Sequence, residues 1–402
     1  MKTFKHIGLF LIFVSLAACA VREIPPLPPT LPATLTLAAS ATAAATETPI
    51  PPTPTPIASP SGTVTPTPVL VIERGELAPG FSLTVYAEVQ QPTSLTFGPD
   101  GKLYVASAGD QRVYSFADRD GDHRATLSNT FASGLDTPLG LLWVGNTLYI
   151  SYKANVVAMQ DTNGDGVEDR FKIVVPNLPT GLHQNDGMVL GADGYIYMGL
   201  GSTCDVCIED NRLSGSILRF KPDGSDLSVY ASGFRNPYDV AFNAAGDLFA
   251  TDNGRDTLGN DIPLEELNFV RPGLNYGWPD CWDGDADPEC IHQTLAAATF
   301  PAHSSVDGLT FYNGDNFPPE YRDNAFVAVL GSYERLGIER GVKRVLLHKG
   351  GAADRPYTGE SEWFLKLDNQ SRALDLTVGP DGGLYVADYA QGLIYRIVYG
   401  AP

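Results

Sequence analysis

Short stretches of alternating apolar and polar residues follow one another from about residue 71 to the C-terminus. None of them keeps the 3.6-residue apolar period of an amphipathic helix, and Gly, Asp and Asn separate them. One phrase recurs: a tight turn such as Gly98-Pro99-Asp100-Gly101, in which Asp-Gly or Asn supplies a positive φ, and then a strand such as the one beginning at Leu103. The pattern predicts an all-β region built from many short strands.

The spacing of this phrase indicates the fold class. Its strands begin at six apolar positions separated by 45, 48, 52, 78 and 58 residues: Leu103, Leu148, Ile196, Leu248, Phe326 and Leu384. A period of this size is typical of a β-propeller, whereas a β-sandwich has no phrase repeated at this spacing. We therefore predict a six-bladed β-propeller over residues 71–402. Whether the termini close the ring by exchanging a strand stays open, with residues 70–86 and 393–399 as the partners that such a closure would use.

The first 19 residues have the pattern of a secretory signal. Lys2 and Lys5 precede an apolar stretch over residues 7–16, which is too short to span a bilayer. It ends in Leu16-Ala17-Ala18-Cys19, which resembles the lipobox of bacterial lipoproteins, in which the cysteine is acylated. We expect lipidation at Cys19 and an exported protein anchored to the cell envelope. The simpler alternative is an ordinary secretory signal with an incidental cysteine.

Residues 20–70 have the composition of a disordered linker. Positions 21–70 hold 13 Pro, 11 Thr and 8 Ala, with no aromatic residue. Such a segment buries too little apolar surface to offset its chain entropy, and Thr-Pro alternation favours extended geometry. It is predicted to hold the propeller away from the membrane.

Charge excludes some partners. With 27 basic and 47 acidic residues the net charge is −20, so a nucleic acid is an improbable partner. An anionic membrane surface would also repel the propeller, which leaves the lipid anchor as the expected membrane attachment.

Four cysteines remain once Cys19 is assigned to the anchor. In an exported protein an even number favours disulfides, and local pairing would join Cys204 to Cys207 and Cys281 to Cys290. A zinc site with four sulfur ligands is the competing interpretation.

Three polar loop clusters interrupt the repeated scaffold. The first contains His183 within Leu182-His183-Gln184-Asn185-Asp186, although a lone loop histidine is more often structural than catalytic. The second contains Arg235 and Asn236, which could bind a carboxylate or a quinone oxygen. The third is rich in oxygen donors around residues 252–279 and could present them to Ca²⁺.

The order of these motifs resembles the glucose/sorbosone dehydrogenase family. The matching phrases are Leu-His-Gln, Gly-Phe-Arg-Asn-Pro, Glu-x-Asn and Gly-x-Asn-Tyr-Gly-Trp-Pro, and the resemblance covers residues 79–398. It implies a six-bladed propeller that binds pyrroloquinoline quinone and Ca²⁺ and oxidises a sugar hydroxyl or an aldehyde. It further implies an acceptor in the cell envelope that takes the electrons.

The resemblance also implies roles for individual residues. His183 matches the family's general base, and Arg235 and Asn236 match groups that bind the cofactor and polarise its carbonyl. Gly254 and Arg255 match positions whose backbone carbonyls hold Ca²⁺, a role that needs no particular side chain.

The chain departs from the family pattern near the expected cofactor. Arg372 matches a partner of a cofactor carboxylate, but Leu374 replaces a second arginine. Ser202 replaces the carboxylate that supports the base in sugar-oxidising relatives, and Arg335 is the expected substitute for a missing cofactor-binding lysine. The phrase Gly-Ser-x-Cys-x-x-Cys, at residues 201–207, resembles the sorbosone-like branch of the family, which the sequence therefore favours over the glucose-oxidising branch.

Two other functions remain as alternatives. One is a non-catalytic propeller that binds carbohydrate or protein; the other is a Ca²⁺-dependent lactonase-type hydrolase, which would need several carboxylates converging on a metal in the channel. The acidic segment at residues 161–169 has the oxygen spacing of a Ca²⁺ loop, but Lys172 stands where an EF-hand needs a bidentate glutamate. We interpret it as a hairpin turn, with a structural Ca²⁺ site as the alternative.

Overall fold

The computed structural model describes residues 75–401 except residues 286, 291, 292, 334 and 336. The predicted signal peptide at 1–19, the lipidation site at Cys19 and the linker at 20–70 lie outside the described residues. Among the described residues, no helix has the length and apolar character that a membrane crossing requires.

The repeated phrase forms a cross-linked turn. In its first copy the amide of Gly101 donates to the carbonyl of Gly98 at 2.9 Å, and Gly101 has a φ of +74°. In three copies the aspartate accepts a hydrogen bond from the tyrosine four positions later: Tyr104 to Asp100 at 3.1 Å, Tyr197 to Asp193 at 2.8 Å and Tyr385 to Asp381 at 3.1 Å. In these three copies the bond ties the turn to the strand that follows it.

The strands form six antiparallel sheets, which we number as blades in chain order. Strands β1 (Gly75–Leu77) and β2 (Phe81–Glu88) come first and join the last two blades. Blade 1 contains β3 (Pro92–Phe97), β4 (Leu103–Ser107), β5 (Arg112–Ala117) and β6 (Thr126–Ser133). Blade 2 contains β7 (Pro138–Val144), β8 (Thr147–Tyr152), β9 (Asn155–Gln160) and β10 (Arg170–Val175). Blade 3 contains β11 (Asn185–Leu190), β12 (Ile196–Leu200), β13 (Ser216–Phe220) and β14 (Ser228–Ser232).

The remaining blades include the N-terminal strands. Blade 4 contains β15 (Val240–Phe242), β16 (Leu248–Asp252), β17 (Glu265–Val270) and β18 (Ala298–Phe300). Blade 5 contains β19 (Val306–Phe311), β20 (Ala325–Val329), β21 (Gly341–Lys349) and β22 (Tyr357–Leu367), with β1 at its outer edge. Blade 6 contains β23 (Ala373–Val378), β24 (Leu384–Asp388) and β25 (Leu393–Tyr399), with β2 outermost. Two short 3₁₀ helices are Pro288–Cys290 and Pro319–Tyr321.

The first strands of the six blades surround a central channel. They contact one another in a closed cycle from β3 through β7, β11, β15, β19 and β23 back to β3. All six repeated phrases form the second strands of the blades, which confirms the predicted six-bladed propeller.

The termini close the ring by strand exchange. Strand β2 pairs antiparallel with β25, and Phe81 lies opposite Tyr399. The Phe81 ring also packs edge-on against Phe317 and Phe364 of blade 5, with ring centroids 4.7 and 4.9 Å away. This aromatic cluster joins blades 5 and 6 where the ring closes.

Candidate functional site

Loops at one end of the ring line an open cleft. These loops either link one blade to the next or connect the second strand of a blade to its third, and antiparallel strands bring both kinds to the same end. Five residues selected from the sequence line this cleft: His183, Arg235, Asn236, Gly254 and Arg335.

His183 lies just before β11 and is held in one tautomer. Its Nδ1 is 3.1 Å from the hydroxyl oxygen of Ser202, and that hydroxyl donates its only proton to the carbonyl of Cys204 at 2.6 Å. Nδ1 must therefore carry the proton that Ser202 accepts, which leaves a lone pair on Nε2. In the part of the chain that the structure describes, Nε2 has no hydrogen-bond partner. Burial and the positive charge of Arg235 lower the pKa of His183 from 6.5 to about 3, so the ring is a neutral acceptor at physiological pH.

The end of β12 leaves no room for a side chain beside His183. A Cβ on Gly201 would lie only 2.3 Å from the Cβ of His183. Gly201 donates its amide to the carbonyl of Gln184 at 2.9 Å, and Ser202 accepts a bond from the His183 amide at 3.0 Å. The backbone at Gly201 and Ser202 therefore lies close to that of His183 and Gln184, and this approach places the imidazole against the end of the strand.

Arg235 is buried at the wall of the cleft and is held on three sides. Its Nε donates to Asp205 at 2.9 Å, one terminal nitrogen donates to the carbonyl of Asn253 at 3.1 Å, and the other donates to Asp256 at 2.6 Å. The side chain is 5% exposed. Three of the five N–H groups of the guanidinium are engaged, so its orientation is fixed while two donors remain for a ligand.

Asn236 is oriented through its backbone. Its amide N–H donates to Asp252 at 2.8 Å, and Asp252 also accepts from the amide of Arg235. Within the described residues the side-chain amide of Asn236 makes no hydrogen bond, so both its donor and its acceptor can serve a ligand in the cleft.

The segment around Gly254 offers backbone oxygens. The Gly254 amide donates to the buried Glu265 carboxylate at 2.6 Å, and burial raises the pKa of Glu265 to about 8. Among the described residues, neither the Gly254 carbonyl nor the Arg255 carbonyl accepts a hydrogen bond. The Arg255 side chain points away from the cleft, toward the Trp282 ring at 5.9 Å and the carbonyl of Pro279 at 3.5 Å.

Two further arginines have buried N–H groups without a partner. One terminal nitrogen of Arg335 donates to the carbonyl of Gly259 at 2.8 Å, whereas the other is buried and has no partner among the described residues. Arg372 does not line the cleft itself; its guanidinium lies 4.7 Å from the centre of the Tyr333 ring, and its Nε is also buried without a partner there. Unsatisfied buried donors are costly, and an anion bound beside them would satisfy them.

The cysteines pair as disulfides. Cys204 is bonded to Cys207, and Cys281 to Cys290. The local pairing expected from the sequence is confirmed, and sulfurs joined in disulfides are not thiolate ligands for zinc.

Sequence reasoning missed a second histidine in the cleft. His303 has a φ of +63°, which is uncommon for a residue with a side chain, and its Nε2 lies 2.8 Å from the carbonyl of Gly259. Its Nδ1 is 3.6 Å from Asp256, the carboxylate that also holds Arg235. No turn motif or charge pattern marks this residue in the sequence.

The structure also places four carboxylates around the channel: Asp186, Asp239, Asp307 and Asp375. Asp186, Asp307 and Asp375 are buried and Asp239 is half-buried. Asp186 belongs to the first polar cluster of the sequence, whereas sequence reasoning missed the other three. Asp239 accepts the amide of Leu309 at 2.8 Å and Asp375 accepts that of Leu95 at 2.7 Å, so each ties its own blade to the next. Burial raises the pKa of Asp375 to about 6 and of Asp307 to about 7, and raises those of Asp186 and Asp239 well above the ordinary value. The Asp-Gly pair that begins both β11 and β19 was the available signal for Asp307.

Solved structures share this architecture. The holo form of the PQQ domain of pyranose dehydrogenase from Coprinopsis cinerea superposes with a TM-score of 0.68 at 15% identity, covering 81% of this chain and 97% of that chain. The fold and the cleft therefore define a six-bladed propeller of the type found in quinone-dependent sugar dehydrogenases, as the sequence motifs predicted.

Sequence comparison agrees with that class. The chain belongs to the family described as a domain of unknown function (DUF7133), which matches residues 70–396. An uncharacterized protein of Borreliella burgdorferi is 22% identical over 80% of this chain and 89% of its own length. An aldose sugar dehydrogenase of Escherichia coli is 24% identical over 56% of this chain and 62% of its own length. None of these likenesses separates the sorbosone-like branch from the others.

Proposed function

We propose that this protein oxidises a sugar or a sugar-derived aldehyde, using pyrroloquinoline quinone and Ca²⁺ bound in the cleft. The observation that carries the proposal is the meeting, in one cleft, of a neutral imidazole with a free Nε2 and a fixed guanidinium. Bound there, the quinone would supply the two-electron oxidant.

The charge of the cleft fits a tricarboxylate cofactor. The chain carries a net charge of −20, so an anionic ligand needs local positive groups to be retained. Arg235 and Arg335 line the cleft, and the partnerless buried N–H groups of Arg335 and Arg372 have the chemistry of carboxylate donors. Asn236 adds a free amide for a carbonyl or a hydroxyl of the cofactor.

The donor set around Gly254 fits Ca²⁺. Ca²⁺ prefers carbonyl and carboxylate oxygens. In the described part of the chain the backbone carbonyls of Gly254 and Arg255 accept no hydrogen bond, and the amide of Gly254 contacts the Glu265 carboxylate. A bound cation would favour the ionised form of Glu265, whose burial otherwise opposes ionisation.

His183 is proposed as the general base. Its Nε2 would take the proton of the substrate hydroxyl as the oxidant removes a hydride from the same carbon. Ser202 fixes the tautomer without adding negative charge, so His183 is a weaker base than a histidine supported by a carboxylate. This substitution, and the phrase at residues 201–207, support the sorbosone-like branch as the closer functional parallel.

Export and lipid anchoring complete the proposal. The signal sequence with Cys19 would anchor the protein to the envelope, where an acceptor takes the electrons. A radioactive or clickable fatty acid should label the wild-type protein and should not label Cys19→Ser. Absence of label on the wild type would exclude the anchor.

The catalytic proposal is tested by reconstitution. The full-length protein is loaded with quinone and Ca²⁺, and dye reduction is measured with a panel of aldoses and aldehydes. Turnover should be lost in His183→Gln and kept in His348→Gln, because His348 is exposed on β21. No quinone uptake would favour the non-catalytic binding propeller.

Lactone hydrolysis without quinone would favour the hydrolase alternative. That alternative needs carboxylates converging on a metal in the channel. Within the described residues, three groups of side chains bring potential metal ligands close together, and none of them lies in the channel. Two are at the disulfides, and the third is Asp118, Asp120 and Asp122. The four channel aspartates form no such group and give the hydrolase no support.

A further inference from the structure

We propose that the Cys204–Cys207 disulfide loop is a positioning element that holds the base and the cofactor-binding arginine of the cleft at the same time. This inference rests on the proposed function for its catalytic meaning, and on direct contacts for its geometry. Cys204 and Asp205 are neighbours in the ring that the disulfide closes. Cys204 contacts His183 through Ser202, and Asp205 contacts Arg235 directly.

The first contact orients the base. The carbonyl of Cys204 accepts the Ser202 hydroxyl proton at 2.6 Å, and this bond compels Ser202 to accept from Nδ1 of His183. Without the Cys204 carbonyl in place, the hydroxyl could rotate and donate to the imidazole instead. Either tautomer of His183 would then be available, and Nε2 would no longer be held as an acceptor.

The second contact orients the arginine. Asp205 Oδ1 accepts from Nε of Arg235 at 2.9 Å and from the amide of Asp256 at 3.1 Å, and Asp256 itself accepts from Arg235. Burial alone would raise the pKa of Asp205, but the Asp256 amide and the Arg235 charge lower it below its ordinary value. Asp205 is therefore an ionised anchor for the guanidinium.

The loop around the disulfide is held by hydrogen bonds and by the disulfide, and little by apolar packing. The segment between β12 and β13 has no strand pairing, and the two apolar side chains within and next to the disulfide ring are not in the core: Val206 is 41% exposed and Ile208 is 89% exposed. Glu209 accepts the amide and the hydroxyl of Thr203, and Trp278 Nε1 donates to the Asp205 carbonyl at 3.1 Å. The disulfide is the covalent constraint between these contacts, and it closes the ring that contains both Cys204 and Asp205.

The test compares two disulfide-free variants of the full-length protein. One carries Cys204→Ser with Cys207→Ser; the matched control carries Cys281→Ser with Cys290→Ser. Two properties are measured: the dissociation constant of pyrroloquinoline quinone in the presence of Ca²⁺, by absorbance titration, and the tautomer of His183 in the unloaded protein, from its imidazole ¹⁵N shifts.

In the Cys204→Ser/Cys207→Ser variant only, we expect the dissociation constant of the quinone to be at least about tenfold higher than in wild type, and His183 to show a mixture of tautomers. A loss of this size is typical when groups that orient a binding residue are removed. Wild-type values of both properties in that variant would overturn the proposal, as would equal changes in the control. If wild type itself does not bind quinone, the proposed function fails, whereas the tautomer measurement still decides whether the loop orients His183.

Reduction provides a second route should the first variant not fold. In the Cys281→Ser/Cys290→Ser protein, Cys204–Cys207 is the remaining disulfide in the described part of the chain. Dithiothreitol reduces it to two thiols and is itself oxidised to a cyclic disulfide. Because dithiothreitol would also reduce the quinone, it is removed under anaerobic conditions before the titration. Opening of the disulfide, verified by mass spectrometry, should produce the mixed tautomer and the weaker quinone binding. An unchanged tautomer after complete reduction would contradict the proposal.

Discussion

The Nδ1 proton of His183 is donated to the hydroxyl of Ser202 across 3.1 Å, and no carboxylate takes the place of that hydroxyl. The imidazole is therefore oriented by a neutral partner. His183 lines the cleft and keeps a lone pair on Nε2. Burial and Arg235 oppose the charged form of the ring, so the pKa of His183 is low.

Two substitutions of Ser202 should separate its effect on the orientation of the His183 ring from its effect on the pKa of that ring. Ser202→Ala removes the acceptor for Nδ1, and kcat should fall about tenfold to a hundredfold while the quinone dissociation constant is maintained. Ser202→Asp adds a negative charge beside the ring and should raise the pKa of His183. Steady-state kinetics and an NMR titration check both. Unchanged kcat in Ser202→Ala would show that the hydroxyl does not orient the base.

The low pKa of His183 predicts an unusual pH profile. A base with a pKa of about 3 is neutral above pH 4, so kcat/KM should show no loss through His183 protonation between pH 7 and pH 4. An ordinary histidine would lose activity as the pH falls through 6.5. An acid limb of kcat/KM centred near pH 6.5 would contradict this account of the base.

Gly201 should be required to seat the base. In Gly201→Ala the new Cβ would lie 2.3 Å from that of His183, so the imidazole must shift. We expect a kcat reduced at least about tenfold and a loss of about 1–3 kcal/mol in unfolding free energy. Gly101→Ala is the control: it strains a turn with a φ of +74° but meets no atom within 4 Å. It should lose stability and keep its activity.

Arg335 should bind the anionic cofactor. One of its terminal nitrogens is buried without a partner in the described part of the chain, and the side chain lines the cleft. Arg335→Gln should raise the quinone dissociation constant at least about tenfold, the loss expected for a charge-assisted hydrogen bond. Arg212→Gln, on an exposed residue, should not change it. Equal affinities in wild type and Arg335→Gln would remove Arg335 from the site.

Asp307 should make stability depend on pH. Burial raises its folded-state pKa from 3.8 to about 7, so the folded state holds its proton more tightly than the unfolded state does. Wild type should therefore lose stability as the pH rises from 4 to 7. Relative to wild type, Asp307→Asn should gain up to about 4 kcal/mol over this range, and the gain should level off above it. Chemical unfolding at several pH values measures the difference; parallel curves for the two proteins would contradict it.

The repeated phrase made the propeller predictable because turn and strand are local features of the sequence. In three of the six copies the aspartate and the tyrosine of the phrase bind each other within four residues. In all six, the phrase forms the second strand of a blade. The closing pair of Phe81 and Tyr399 could only be proposed, since pairing between the ends of the chain depends on ring closure.

The cleft was predictable only in part. His183, Arg235 and Gly254 were found through motifs and lie together, whereas His303 follows no motif and is brought in by the loop before β19. The link from Cys204 through Ser202 to His183 depends on the direction of one hydroxyl proton, which no spacing reveals. Sequence patterns identified the types of residue, and the folded loops determined how they contact one another.

The central claim is that this cleft binds a quinone beside Arg235 and His183. It is tested most directly by equilibrium titration of the full-length protein with pyrroloquinoline quinone, with Ca²⁺ and then with a chelator. We predict saturable binding of one quinone per chain that weakens when Ca²⁺ is removed. Absence of saturable binding to a folded protein in the presence of Ca²⁺ would contradict the account.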